Sequence, residues 1–180
     1  NDFQDTLRMA RLVGEAYFEV HHNPEKPFMV QAGNISIKVL GTTLNVRSHK
    51  EDAVKKVTLL EGKENLQVLN GTKINQLDLL PGEVVEYSPE NNIMVKTHPS
   101  NNHDIAWTEG TIKFEAADFS AVATVLERWY GKKIVIKKLP TRTTGLNGEF
   151  ENKSLYKVLE TLSHTSGFNY EIKDKRVIIF

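Results

Sequence analysis

The feature that most restricts the fold is an internal duplication in the C-terminal part of the sequence. Residues from Phe114 onward reappear in similar order 36 positions later, without a gap. The matched pairs are Phe114 with Phe150, Phe119 with Leu155, Val122 with Val158, Ala123 with Leu159, Leu126 with Leu162, Gly131 with Gly167, Ile134 with Tyr170 and Ile136 with Ile172. Such a chain is expected to fold as two similar supersecondary units that bury a common core.

Each copy contains a helix signal. The apolar residues recur at three- and four-residue intervals, which is the spacing of one helical face. Asp118 and Ser154 stand where N-caps are expected. Gly131 and Gly167 stand where a left-handed residue ends a helix. With strand-like segments on both sides, the sequence predicts an α+β domain of duplicated β-α-β units, and the run 175–180 predicts a seventh element.

The first hundred residues follow a different period. Apolar and polar residues alternate at 35–39 and 84–87, as in half-buried strands. Asn-Gly at 70–71, Pro-Gly at 81–82 and Asn-Asn at 91–92 predict turns. We therefore expect an all-β N-terminal domain.

Four glycines stand at the entry to strand-like runs in this part, namely Gly14, Gly41, Gly62 and Gly82. Their recurrence suggests one repeated kind of turn or close backbone approach. A sandwich, a jelly roll and a short solenoid all show glycine-marked strand entries, so the three layouts remain open.

The boundary between the two parts is placed in a polar segment. Residues 98–106 show no apolar periodicity and are interpreted as a linker. We assign residues 1–100 to the all-β domain and residues 107–180 to the duplicated domain. Residues 1–106 carry 11 basic and 14 acidic groups (net −3), and residues 107–180 carry 12 and 9 (net +3).

Composition excludes several functional classes. The 23 basic residues balance the 23 acidic ones, which disfavours a nucleic-acid partner. The absence of cysteine excludes disulfides and thiol nucleophiles. No apolar run approaches the ~18 residues of a membrane span, so an anchor is expected upstream of Asn1.

The sequence offers no convincing catalytic or metal-binding group. Its histidines form no H-E-x-x-H motif, and no glycine-rich phosphate-binding motif occurs. His98, His103 and Asp104 come closest to a metal site, but they lie in the predicted linker. We expect no catalytic residues, no metal and no cofactor, and therefore no enzyme.

The terminal run 176–180 is the main candidate for an interaction surface. It is β-prone and ends the sequence, so one interpretation is an edge strand that pairs with a strand of another protein. The more ordinary alternative is a strand that closes its own sheet.

Four strings in the N-terminal part closely resemble the FecR family of anti-sigma regulators. They are Gly-Glu-Ala-Tyr-Phe-Glu-Val at 14–20, Lys-Pro-Phe-Met-Val at 26–30, Val-Leu-Gly-Thr-Thr-Leu-Asn-Val at 39–46 and Val-Thr-Leu-Leu-Glu-Gly at 57–62. The segments 107–114, 126–131 and 148–150 resemble the domain that follows in this family. That domain is similar to the short signalling domain of secretins and TonB-dependent transducers. Since only 1–13 precede the first string, the resemblance implies an N-terminally truncated first domain.

The resemblance implies the periplasmic sensor of a single-pass inner-membrane protein. Its missing upstream part would cross the inner membrane and hold an extracytoplasmic-function sigma factor in the cytoplasm. The sensor would receive its signal from the signalling domain of a TonB-dependent outer-membrane transporter.

We expect the net-positive C-terminal domain to contact this partner. The candidate contact residues are Arg128, Trp129, Tyr130, Arg176, Ile178 and Phe180. The alternative function is a glycan-binding or scaffolding module of a cell-envelope complex. A glycan-binding module would use exposed aromatic residues such as Tyr87, Trp107 or Tyr130.

Overall fold

The chain forms two compact units, Asn1–Ile105 and Ala106–Phe180, in a computed structural model. The structure describes residues 8–70, 73–99 and 103–180. In this part of the chain most of the regular structure is β-strand, accompanied by a few helices. The expectation of a mostly β protein with a few helices is confirmed.

The described residues of the first unit form ten strands. They are β1 (Arg8–Arg11), β2 (Gly14–Glu19), β3 (Phe28–Ala32), β4 (Ile35–Val39), β5 (Thr43–Ser48), β6 (Lys55–Glu61), β7 (Glu64–Asn70), β8 (Lys73–Leu79), β9 (Val84–Ser88) and β10 (Ile93–Thr97). They make two five-stranded sheets, in the orders β1-β3-β4-β7-β8 and β10-β9-β6-β5-β2. Strands β1 and β3 run parallel, and the other neighbours run antiparallel.

Alternate residues of both sheets build one buried cluster. It includes Ile37 and Leu66 from the first sheet and Val46, Leu59 and Tyr87 from the second. Each of these side chains is at most 1% exposed. The apolar positions of the alternating sequence are therefore the ones that form the core of this unit.

Two of the three predicted turns are present. Residues 81–82 and 91–92 form turns, with Gly82 at φ 84° and Asn92 at φ 53°. The predicted turn at 70–71 extends outside the described residues.

Among the recurring glycines, some adopt a positive φ and some lie in close contact with neighbouring backbone. Gly62 has φ 91°, and a Cβ there would lie 2.6 Å from the carbonyl oxygen of Gly41. At Gly41, a Cβ would lie 2.5 Å from Cα of His22. A side chain at either position would collide with backbone atoms, so these two strand entries require glycine.

Between the 3-10 helix and the last strand, the elements from residue 103 onward follow the duplicated β-α-β pattern. They are a 3-10 helix (His103–Glu109), β11 (Thr111–Ala117), α1 (Phe119–Tyr130), β12 (Lys133–Ile136), β13 (Leu146–Glu151), α2 (Leu155–Ser166), β14 (Tyr170–Ile172) and β15 (Arg176–Ile179). Asp118 and Ser154 cap the helix N-termini by accepting a hydrogen bond from the backbone N–H three residues later. Gly131 and Gly167 end the helices with φ 64° and 68°. All four predicted caps are confirmed.

The strands of the second unit form two small sheets. Strands β11 and β13, which open the two copies, pair antiparallel. Strands β12 and β14, which close the copies, flank β15 in the order β12-β15-β14. The equivalent residues Val122 and Val158 are both fully buried, in one cluster with Ile134, Val177 and Ile179. Both α-helices are short, and the described residues contain no helix that could serve as a membrane span.

Candidate interaction surface

Asp104, the acidic residue of the potential metal site, forms hydrogen bonds within the first unit. It accepts hydrogen bonds from Lys56 Nζ at 3.1 Å and Thr58 Oγ1 at 3.2 Å, and its backbone oxygen accepts one from Asn45 Nδ2 at 3.3 Å. The last residues of the predicted linker 98–106 belong to the 3-10 helix, and the division between the two compact units falls within this segment, after Ile105. The described residues show no group of three metal-binding side chains.

Lys56 stands between two carboxylates. Its Nζ lies 3.1 Å from Asp104 and 3.0 Å from Glu86. Burial favours the neutral amine, but the two carboxylates outweigh it and raise the pKa of Lys56. The Lys56 ammonium therefore stays charged at neutral pH and holds the start of the 3-10 helix against β6.

Strand β15 lies in the centre of its sheet, so the edge-strand interpretation of 176–180 is wrong. Its backbone pairs with β12 in parallel and with β14 antiparallel. Val177 is fully buried and Ile179 is 1% exposed. Because both sides of its backbone are already bonded, β15 cannot receive a further strand, and it closes its own sheet.

Arg176, Ile178 and Phe180 share the face of this sheet that lies away from the core, since strand residues alternate between faces. Lys133 lies opposite Arg176, while Val135 and Glu171 lie on either side of Ile178. We define the outer sheet face as Lys133, Val135, Glu171, Arg176, Ile178 and Phe180. Phe180 is 49% and Val135 36% exposed, so apolar side chains stand among charged ones on this surface. Ile178 is only 6% exposed, so this predicted contact residue is buried and offers little area to a partner.

The other three candidate contacts occupy the last turn of α1. This helix packs on the core side of the sheet, opposite the outer sheet face. Trp129 and Tyr130 are half-buried against the core. Tyr130 Oη donates a hydrogen bond to the backbone oxygen of Lys153 at 2.6 Å, and burial raises the pKa of Tyr130. The structure thus does not bring Arg128, Trp129 and Tyr130 onto one surface with the strand residues.

Glu127 closes one edge of the three-stranded sheet, a role that the sequence reasoning missed. Its Oε1 accepts a hydrogen bond from Ile134 N–H at 2.6 Å, and its Oε2 lies 3.0 Å from Lys133 Nζ. The N–H groups of Lys133 and Lys137 bond toward β15, so that of Ile134 points to the free side of β12. The carboxylate occupies a donor that another strand would otherwise use.

The aromatic residues of the glycan-binding alternative are not exposed. Tyr87 is 1% exposed, and its Oη accepts a hydrogen bond from Asn34 Nδ2 at 2.8 Å. Trp107 and Tyr130 are half-buried. The expectation of an exposed ring is wrong for Tyr87, which belongs to the core of the first unit, while Tyr130 packs partly against that of the second.

Comparisons with known proteins identify relatives of both parts of the chain. A family model described as FecR protein matches residues 2–63, and one described as FecR, C-terminal matches residues 111–179. Two crystal structures of a candidate anti-sigma factor from Parabacteroides distasonis, at 1.65 and 2.50 Å resolution, are similar to the chain. Each match has 28% sequence identity and a TM-score of 0.80, and covers 99% of this chain and 82% of the other. No protein of curated function matches significantly.

Proposed function

Because this chain belongs to the FecR family, we propose that it is the sensor region of a transmembrane anti-sigma factor. The family and the similar structure support an anti-sigma regulator role, which implies a sigma factor as a partner. In our proposal the chain lies at the periplasmic face of the inner membrane. Segments outside this sequence cross that membrane and hold an extracytoplasmic-function sigma factor in the cytoplasm.

The signal in this proposal comes from the signalling domain of a TonB-dependent outer-membrane transporter. Residues 1–100 act as the FecR-type domain, for which two sheets around one buried cluster support a β-sandwich. Residues 107–180 act as the receiving domain, and their net charge of +3 suits an acidic partner surface.

The observation that carries the proposal is the composition of the outer sheet face. Phe180 and Val135 are partly exposed there, beside the cations of Arg176 and Lys133. Exposed apolar groups rimmed by polar ones mark protein interaction sites, and aromatic residues and arginine are enriched in such interfaces. This surface is suited to binding a macromolecule through shape and charge.

A sigma-dependent reporter in cells that carry the full-length protein tests this function. We expect induction by the transporter's ligand, and loss of induction when the transporter's signalling domain is deleted. Arg176→Glu should reduce induction, because it reverses a charge on the outer sheet face. Lys113→Glu, a charge reversal on β11 that also breaks the surface pair with Glu149 at 3.0 Å, is the control and should leave induction intact. Unchanged induction without the signalling domain would contradict the proposal.

A further inference from the structure

The free edge of β14 presents backbone groups that its own sheet does not use. Asn169 and Phe180 exchange hydrogen bonds of 2.9 and 3.0 Å, and Lys173 N–H donates to Arg176 O at 2.8 Å. Bonded pairs alternate with non-bonded ones in an antiparallel ladder, so residue 171 bonds toward β15. The N–H and C=O groups of Tyr170 and Ile172 therefore point away from the sheet.

The opposite edge of the same sheet is closed. On β12 the Glu127 carboxylate accepts the outward N–H of Ile134 and also pairs with Lys133. Among the described residues, no side chain bonds in this way to the outward N–H groups of Tyr170 or Ile172. The two edges differ in their access to a further strand.

The edges of the two-stranded sheet carry protective features of other kinds. β11 has a bulge, where Ala116 adopts φ 47° and its N–H donates to Asn147 Oδ1 at 2.9 Å. β13 carries the exposed carboxylates of Glu149 and Glu151. Bulges and charges are devices that discourage strand addition. β14 has neither a bulge nor a second carboxylate, and its Glu171 pairs with Lys173 at 3.3 Å, as Glu149 pairs with Lys113 at 3.0 Å.

The surroundings of β14 suit an added strand. Ile172 is 39% exposed and Tyr156 of α2 is 55% exposed, while Tyr170 packs against the core. Burial, and then the nearby Tyr156 and Glu160 of α2, raise the pKa of Tyr170. A strand added here could direct alternate apolar side chains toward Tyr156 and Ile172.

We propose that β14 accepts an extended segment of the partner protein as a fourth strand of this sheet. The inference rests on the proposed function, and it adds a backbone-mediated mode of binding to the side-chain contacts of the outer sheet face. Only an extended chain matches outward donors and acceptors that alternate in this way. A three-residue edge is too small on its own for a stable interface, which buries about 1,200–2,000 Å². A second copy would bring the same net charge of +3 in residues 107–180 against it, whereas an acidic partner would be attracted. A partner that also covers the adjoining outer sheet face can reach that area.

Two proline variants test the assignment through binding of the signalling domain of the proposed TonB-dependent transporter. Ile172→Pro removes an outward N–H that makes no bond to β15, so the fold should persist while affinity falls about tenfold or more. Ile136→Pro is the matched control. It removes an outward N–H from β12 on the opposite edge and should leave affinity unchanged.

Amide hydrogen exchange of the wild-type chain gives a second readout that does not depend on either variant. The amides of Tyr170 and Ile172 should become protected on binding, whereas that of Glu171, already bonded to β15, should change little. The edge assignment is overturned if a folded Ile172→Pro variant binds with full affinity, or if the Tyr170 and Ile172 amides stay unprotected in the complex. Either result leaves the proposed function standing. Absence of any wild-type binding contradicts the proposed function and this inference together. If the chain dimerises without the partner and Ile172→Pro dissociates that dimer, the β14 edge binds a second copy of this chain instead, and the proposal is wrong.

Discussion

Asp104 and Lys56 form an ion pair of 3.1 Å that joins the start of the 3-10 helix to strand β6. Both side chains are less than a third exposed, at 24% and 28%. Thr58 adds a hydrogen bond to the same carboxylate. A segment that appeared in the sequence as a polar linker thus contributes to the stability of the first unit.

Replacing Asp104 tests this contribution. Asp104→Asn keeps the size of the side chain but removes its charge, and we expect the free energy of unfolding to fall by about 1–3 kcal/mol. Urea unfolding measures the loss. Glu90→Gln, at an exposed position that forms no ion pair with the described residues, is the control and should have almost no effect. Equal stability of the two variants would show that the Asp104 contacts are not stabilising.

The two C-cap glycines allow a paired comparison between the copies. Gly131 has φ 64° with no atom within 4 Å of a built Cβ, so Gly131→Ala should cost only the left-handed strain of about 1 kcal/mol. At Gly167 the added Cβ would also lie 2.9 Å from Thr141 Oγ1. Gly167→Ala should therefore lower the free energy of unfolding by roughly twice as much. Thermal unfolding of both variants measures these losses of unfolding free energy. Equal losses would contradict the predicted difference between the two positions.

The N-cap of α1 makes stability dependent on pH in the acid range. The Ala121 N–H, and then the Ser120 hydroxyl, lower the pKa of Asp118 below its ordinary value of 3.8. A depressed pKa gives stability that is present above the unfolded value and is lost as pH falls through the folded one. The stability difference between wild type and Asp118→Asn should narrow below pH 3.8. An NMR titration that places the Asp118 carboxyl at or above 3.8 would refute this.

Glu127 should control exchange at a single strand amide. In Glu127→Ala the Ile134 N–H loses its 2.6 Å acceptor, and we expect its hydrogen exchange to accelerate by about tenfold. Glu160→Ala, which removes surface contacts of α2 with Lys157 and Tyr156, is the control and should leave the exchange of the Ile134 amide unchanged. Unaltered exchange at Ile134 in Glu127→Ala would mean that the carboxylate does not close the β12 edge.

The duplicated helices were predictable because their signals are local. Asp118 and Gly131 stand within a turn of the helix ends that they define, and the second copy repeats both signals. The same locality identified the turns at 81–82 and 91–92. Propensity, periodicity and capping agree at these positions, so the sequence pattern was sufficient.

The position of β15 was not predictable in this way, because the order of strands depends on contacts between distant residues. The position of this strand at the end of the sequence allowed an edge strand, and a strand that closes its own sheet was the more ordinary alternative. The three consecutive buried residues Val177, Ile178 and Ile179 were a better indication, since a continuous apolar run is typical of a strand with neighbours on both sides. The contact of Glu127 with Ile134 had no comparable signal, because a helix carboxylate of this kind is usually solvated.

Direct binding of the transporter's signalling domain to this chain, measured by isothermal titration calorimetry, tests the account most directly. We predict saturable binding that Phe180→Asp weakens about tenfold, because it places a carboxylate in the apolar part of the outer sheet face. Lys113→Glu on β11 should bind as the wild type does. The account is contradicted if the wild-type chain shows no binding, or if Phe180→Asp and Lys113→Glu bind equally well.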